Sequence, residues 1–474
     1  MKKYIQQTLL LLAILMPVTA SAYDFSYRGI FYNKHGNEVA VTYKEFPYYN
    51  GHGVYTGDVT IPDTVLYYYP VVGIESAAFY GCNELTSITL PNSIRFIGDF
   101  AFYNCTGLTS ITLPNSIKTI IGFAFYNCTA LSSITFSNAV TSLGEKAFHN
   151  TAWYSNQPDG LVYTGSVIYE YKGTMPAGTS ITIAEGTLAV GDAAFSGCSG
   201  LIGITFPNSL VAIGNVAFDD CSSLTSLEIP NSVTTIGNYA FHNCSSLTSV
   251  DIGNSVTTIK EHAFYKCDGL KRVNITDLAS WCNIYFAFDE DDYFTSNPLF
   301  YAHHLFLNGE EVKDLVIPDC ITEISKAAFY KCHGLTSVTI PNSINSIGYR
   351  AFYDCDSLQT VTCLGTIPPV MASTECFSTT AYNRAKLLVP RQSIETYKAT
   401  NYWNKFVNIE GYGDAAPGDV NGDGSMSITD VTTLIDALLT GDMDAIFIEA
   451  ADLNANGSLD IYDVAALIDM LLGS

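Results

Sequence analysis

Two stretches near the C-terminus carry the residues best suited to chemistry. Asp419, Asn421, Asp423, Ser425, Ser427 and Asp430 fall at positions 1, 3, 5, 7, 9 and 12 of one twelve-residue stretch. Asp452, Asn454, Asn456, Ser458, Asp460 and Asp463 fill the same positions 33 residues later. Both stretches place glycine at position 6, Gly424 and Gly457. Oxygen donors at this spacing around a tight glycine turn are what a hard divalent cation needs when one loop wraps it. Side-chain oxygens would come from positions 1, 3, 5 and 12, the carbonyl from position 7, and position 9 would act directly or through water. Two copies in register predict two bound Ca2+ ions.

Each loop runs into an apolar helix pattern: Val431, Leu434, Ile435 and Leu438 after the first, Val464, Leu467, Ile468 and Leu471 after the second. Residues 414–474 hold twelve acidic side chains and no Lys or Arg. So much like charge in a small unit is unfavourable, and a divalent cation that neutralises it couples metal binding to folding. The duplicated loop–helix, with Asp at position 12 and no helix pattern ahead of the first loop, resembles a type I dockerin over residues 418–473. That resemblance implies calcium-dependent folding and docking onto a cohesin-like domain or other surface scaffold protein, often within polysaccharide-degrading assemblies. Positions 10 and 11 are the expected partner contacts. Here they are Ile428-Thr429 and Ile461-Tyr462, where clostridial dockerins commonly carry small hydroxyl pairs, so the receptor stays open.

The rest of the chain must position this tail, and it is repetitive. Phenylalanines recur every 23 residues at 79, 102, 125 and 148, again at 195, 218, 241 and 264, and at 329 and 352. A fixed short period marks a solenoid whose units stack only on their neighbours. Within one unit, Leu108, Ile111 and Leu113 are apolar, and Ile111 and Leu113 read as the inward side of a short strand, with Ser110 and Thr112 outward. Pro114-Asn115-Ser116 ends the strand, because proline cannot donate to a ladder and Asn and Ser bond locally. The return side (Ile117, Ile120 or Ile121, Gly122, Ala124, Phe125) lacks a helix-length pattern, which predicts irregular structure or a short second strand. The pattern LxxIxLPxxIxxIGxxAFxxC resembles the BspA-like leucine-rich repeats over roughly residues 60–390. The expected fold class is a β-rich leucine-rich-repeat solenoid with a small all-α calcium-binding module. The resemblance implies an exported or surface protein of adhesion and recognition, with a host protein or glycan as ligand of the solenoid.

The expected organisation is a signal peptide at 1–22, an N-terminal β cap at 23–70, the solenoid at 71–411 with inserts near 149–178 and 273–311, and the tail module at 414–474. Lys2 and Lys3, the apolar run from Leu9 to Met16, and Ala20-Ser21-Ala22 form the export signal. Its apolar run is too short to span a bilayer, and no later stretch is read as a membrane span. The predicted location is extracellular or cell-surface, with the periplasm open. In the first insert, Thr164-Gly165-Ser166 between two apolar runs predicts a hairpin. The second carries the acidic run from Asp289 to Asp292. Trp153 and Trp281 lie in the two inserts and Trp403 near the solenoid end. They read either as plugs of irregular junctions or, for Trp153 and Trp281, as partner-binding aromatics on loops.

A net charge of −24 argues against nucleic acid and anionic membrane surfaces as partners. Nine of thirteen cysteines follow the repeat phenylalanine by three residues, and such side chains stack in parallel, which predicts reduced, buried thiols rather than bridges. The eight histidines form no HExxH, and there is no nucleophile elbow, phosphate loop or metal-spaced CxxC pair. No catalytic residue is assigned and no enzyme activity is expected. The leading reading is an exported, non-catalytic recognition or adhesion protein tethered through its calcium-dependent tail. The alternative is an accessory, non-catalytic subunit of a cellulosome-like complex that degrades polysaccharide.

Overall fold

The computed structural model describes residues 23–44, 54–288, 294–413, 415–443 and 446–473. The signal peptide, His52, the acidic run from Asp289 to Asp292, and Asp414 lie outside the described residues. The chain divides into two compact units, residues 1–200 with 209–220, and residues 201–208 with 221–474.

In the first unit the 23-residue period becomes one turn of a coil. Strands Gly57–Thr60, Leu85–Thr89, Ser110–Thr112 and Ser133–Thr135 run parallel on one side. Tyr69–Ile74, Phe96–Ile97, Thr119–Ile120 and Ser142–Leu143 form a second parallel ladder, so the return side is a short strand. Ser110 pairs with Ser133, Ile111 with Ile134, and Thr112 with Thr135, so equivalent residues meet one turn apart. Ile111 is buried while Ser110 and Thr112 are exposed, as the alternation requires. An antiparallel meander, Phe25–Tyr27, Ile30–His35 and Glu38–Thr42, begins the sheet, and its last strand joins Tyr69–Ile74 in parallel.

The core is an aromatic ladder. Ring centroids of Phe79, Phe102, Phe125 and Phe148 are separated by 4.8, 4.8 and 5.2 Å, with interplanar angles of 6° or less. Those separations match the strand spacing of roughly 4.8 Å, so backbone pairing and ring stacking reinforce each other. Beside it, the Cys105 thiol donates to the Phe79 carbonyl and the Cys128 thiol to the Phe102 carbonyl, each at 3.0 Å. Turns of the coil use left-handed backbone at two corners, at non-glycine residues such as Phe123 (φ 56°) and Asn127 (φ 62°), or with glycine at the second, as at Gly81 and Gly197. The predicted hairpin is present as Gly160–Thr164 and Val167–Lys172, and its second strand pairs in parallel with Ala189–Val190, so the insert is spliced into the ladder.

The second unit repeats the design. Ser226–Glu228, Ser249–Ile252, Arg272–Ile275 and Leu305–Leu307 form one parallel ladder. Asp314–Val316, Ser337–Ile340, Thr360–Cys363, Lys386–Pro390 and Asn408–Tyr412 form the next. The second insert supplies two short helices, Leu278–Cys282 and Leu299–Ala302. Trp281 is 1 % exposed, and its indole N–H donates to the Ala328 carbonyl at 2.9 Å. The partner-binding role considered for Trp281 is therefore corrected: a side chain with no free surface cannot meet a ligand, and this one fills a junction. Trp403 is fully buried with its N–H on the Pro369 carbonyl. In the first unit Trp153 is half-buried among Phe136, Phe148 and Tyr169. Phe377 stacks on Phe352 at 5.1 Å and extends the ladder one rung beyond the 23-residue spacing.

No helix among the described residues is long and apolar enough to cross a membrane. The tail closes the second unit with helices Ile428–Thr440, Ile448–Ala451 and Ile461–Leu472. Its own small core comprises Val420, Val431, Leu434, Ala437, Ile446, Ala451, Val464 and Leu467.

Candidate metal-binding loops of the tail

The two loops share one hydrogen-bond plan. At position 1, the Asp419 carboxylate accepts from the backbone N–H of Gly424 at 3.1 Å, and Asp452 accepts from that of Gly457 at 2.8 Å. At position 3, Asn421 accepts from the Asp423 amide and Asn454 from the Asn456 amide. At position 5, Asp423 accepts from the Ser425 amide and Asn456 from the Ser458 amide. Each Asx side chain thus caps the backbone two residues on and curls the loop inward.

Position 12 performs a second task. Asp430 is fully buried; one oxygen accepts from Asn421 N–H and the other from Ser427 N–H. Asp463 is likewise buried and accepts from Leu453, Asn454 and Asp460 amides. Ser427 and Asp460, at position 9, are the helix N-caps, and both helices begin with a reciprocal capping box. The spacing read for ligation is therefore also the spacing that starts each helix.

The loops carry three carboxylates each but are not equivalent in burial or contact. Asp419 is 2 % exposed, and its Oδ1 is buried without a hydrogen-bond partner. Burial holds its carboxyl above the usual range, with Asp430 and Asp423 adding in the same direction against the Gly424 amide and Arg391. Asp423 sits below its ordinary value: slight burial opposes this, and the Ser425 and Asn421 hydrogen bonds outweigh it. Among the described residues no group of three or more His, Cys, Asp or Glu converges as a metal-holding set. Here half of the donors are amides and hydroxyls, and the position-12 carboxylates are turned onto backbone amides.

The residues expected to meet a partner are at the surface. Ile428 is 68 % exposed, Ile461 67 % and Tyr462 73 %, and Thr429 is exposed beside them. Bulky apolar side chains thus stand in water at the first turn of each helix, outside the tail's small core.

Elsewhere the side chains serve the coil. The outward hydroxyls of the strand face bond the preceding turn: Thr248 to the Thr225 carbonyl, Thr336 to that of Lys313, and Thr86 and Ser87 to Asp58. Tyr80, Tyr103 and Tyr126 stack on one another at 5.0 and 5.2 Å, so both faces of Tyr103 are occupied. His303 and His333 stack at 4.3 Å, and burial lowers both below the usual imidazole range.

These coils and the duplicated loop–helix define a leucine-rich-repeat solenoid followed by a small helical loop–helix module. The family model for the BspA type leucine rich repeat region matches residues 56–157, 168–289 and 302–409, well over half of the chain, and the chain belongs to that family. A dockerin type I domain matches residues 417–472. Such domains generally bind calcium and typically bind cohesins, and neither module is catalytic. Among solved structures, the chain is similar to a leucine-rich repeat protein from Bacteroides ovatus (25 % identity, 82 % of this chain and 100 % of that one, TM-score 0.29). It is also similar to a leucine rich cell surface protein from Faecalibacterium prausnitzii (22 % identity, 84 % and 97 %, TM-score 0.27). A leucine-rich repeat protein from Eubacterium ventriosum aligns at 17 % identity over 68 % and 85 %, TM-score 0.27. The assignment rests on the family matches. A comparison with curated proteins finds no match.

Proposed function

We propose that this chain is an exported, non-catalytic recognition protein. Its solenoid binds a protein or glycan, and its tail tethers it, through calcium, to a cohesin-like scaffold. Each loop would take one Ca2+. Asp419, Asn421, Asp423 and Asp430 would hold the first, with Ser425 and Ser427; Asp452, Asn454, Asn456 and Asp463 would hold the second, with Ser458 and Asp460. The observation that carries this reading is the buried, unpartnered Oδ1 of Asp419 inside an all-oxygen loop. A desolvated carboxylate oxygen without a partner is costly, and a hard cation supplies the missing interaction. Tyr462, Ile461, Ile428 and Thr429 would form the surface that meets the scaffold.

The test is a pull-down from envelope and culture extracts of the source bacterium. The mature chain is compared with one ending at Gly413, each with calcium and with chelator. A partner lost on truncation and on chelation is expected. A partner retained by the truncated chain would move recognition to the repeats and overturn the tethering role.

A further inference from the structure

One cation of the solenoid cap reaches into the first loop. The Arg391 guanidinium donates to the Gly422 carbonyl at 2.7 Å, to the Gly413 carbonyl at 3.3 Å and to the Gly411 carbonyl at 3.5 Å. It also lies over the Phe447 ring, 4.1 Å from the centroid. Gly411 lies within the strand Asn408–Tyr412, Gly422 is position 4 of the first calcium loop, and Phe447 precedes the second tail helix, Ile448–Ala451. One side chain therefore binds three segments that the sequence places far apart. The tail has no Lys or Arg of its own, so the cap supplies the cation to an acidic partner surface within the same chain.

The two loops differ where this contact falls. A Cβ added at Gly422 would come within 2.2 Å of the Phe447 ring and 2.5 Å of Arg391, and one added at Gly424 within 1.9 Å of the Arg391 carbonyl oxygen. At Gly457, the counterpart of Gly424, a Cβ would meet nothing within 4 Å. The counterpart of Gly422 is Ala455, which holds the same left-handed backbone (φ 53° against 69°) with a side chain present. The loop geometry thus tolerates alanine at position 4, and glycine in the first copy answers to the packing of Arg391 and Phe447.

We propose that Arg391 is a latch that seats the first calcium loop on the solenoid cap, so that calcium fixes the tail rigidly to the solenoid and leaves the second loop and Tyr462 free for the scaffold. This rests on the calcium reading of the loops. Asp419, Asp423 and Asp430 repel one another without a cation, and a loop spread by that repulsion does not hold the Gly422 carbonyl in place for Arg391. Calcium binding and docking are therefore linked, and each favours the other.

The experiment uses the full mature chain, its Arg391→Ala and Gly422→Ala variants, and elastase cleavage after Ala415, with the fragments identified by mass. Calcium uptake is measured in parallel by titration calorimetry. A segment held at both ends cannot extend into a protease cleft. The wild type should be cut about fivefold or more slowly with calcium than with chelator. Both variants should still take up two ions, yet be cut in calcium as fast as the wild type in chelator. Gly422→Ala copies the residue the second loop already carries, which separates undocking from loss of the ion. Protection of Arg391→Ala equal to the wild type overturns the latch. So does wild-type cleavage indifferent to calcium while two ions bind. A wild type that takes up no calcium overturns the calcium reading itself, and the latch as a calcium-dependent device with it.

Discussion

The carboxylate of Asp430 accepts the backbone N–H of Ser427 at 2.8 Å, so the residue proposed as the last ligand of the first loop is also the one that closes the first turn of the following helix. Asp463 and Asp460 repeat the relationship at 3.0 Å. The proposed metal site and the helix start share these residues, so calcium uptake on that reading would also order the helix.

Two substitutions at Asp430 separate these tasks. Asp430→Asn keeps an acceptor for one amide and removes the charge; Asp430→Ala removes both. Both variants should bind calcium more weakly than the wild type. At saturating calcium the alanine variant should be less stable than the asparagine variant by about 1 kcal/mol, the usual worth of a capping contact. Thermal melting of the tail helices, followed by ellipticity in the full chain, checks this; identical melts would show that the box contributes nothing.

Much of this organisation was legible in the residues. The phenylalanine period gave the coil, because a ring that must stack at the strand spacing can occur only once per turn. The Asx spacing gave both loops, and the Thr-Gly-Ser turn gave the spliced hairpin. The burial of Trp281 was not legible, since a tryptophan in an insert reads the same whether its ring lies in solvent or is buried with its N–H on the Ala328 carbonyl. Phe377 escaped because the closing turn departs from the period. Arg391 escaped because its partners are backbone carbonyls of Gly411, Gly413 and Gly422, which leave no side-chain signature. The one sequence hint was the Gly422–Ala455 difference between two otherwise parallel loops.

The ring ladder should carry more stability than the surface ladder beside it. Phe125 is fully buried and stacks on both Phe102 and Phe148. Phe125→Ala should cost about 3–5 kcal/mol, the range for deleting a core aromatic. Tyr126 stacks on Tyr103 and His149 at the half-buried rim, and Tyr126→Ala should cost about 1 kcal/mol. Denaturant midpoints of the two variants against the wild type decide it; equal shifts would show that the rim stack matters as much as the core.

Asp99 should make the first unit less stable as the medium turns from mildly acidic to neutral. Burial pushes its carboxyl up to about 6, with Glu145 adding to the rise and the Phe100 amide opposing it. A folded-state value above the unfolded one, roughly 3.9, means that the folded chain holds the extra proton between the two values. The protonated group is no burden at pH 4. The penalty of burying its charge grows as pH rises through 6 and is complete above 7. Asp99→Asn should therefore flatten the pH dependence of the melting temperature between 4 and 7 and raise it at pH 7. A variant with the wild-type slope would remove Asp99 as the cause.

The cysteines should divide sharply by reactivity. Twelve are buried and Cys320 alone is exposed. Burial pushes the thiols of Cys267, Cys332 and Cys363 up to about 12, and Cys198 to about 11, so these form little thiolate at pH 8. A thiol reagent applied to the native chain at that pH should modify one site, and Cys320→Ser should abolish the fast phase. Unfolding in denaturant without reductant should then expose all thirteen. The stacked thiols donate to carbonyls of the preceding turns, as Cys105 does to Phe79, and a bridge between neighbours would break those bonds and twist the side chains out of parallel. A denatured count below thirteen would show that the ladder is crosslinked despite that geometry.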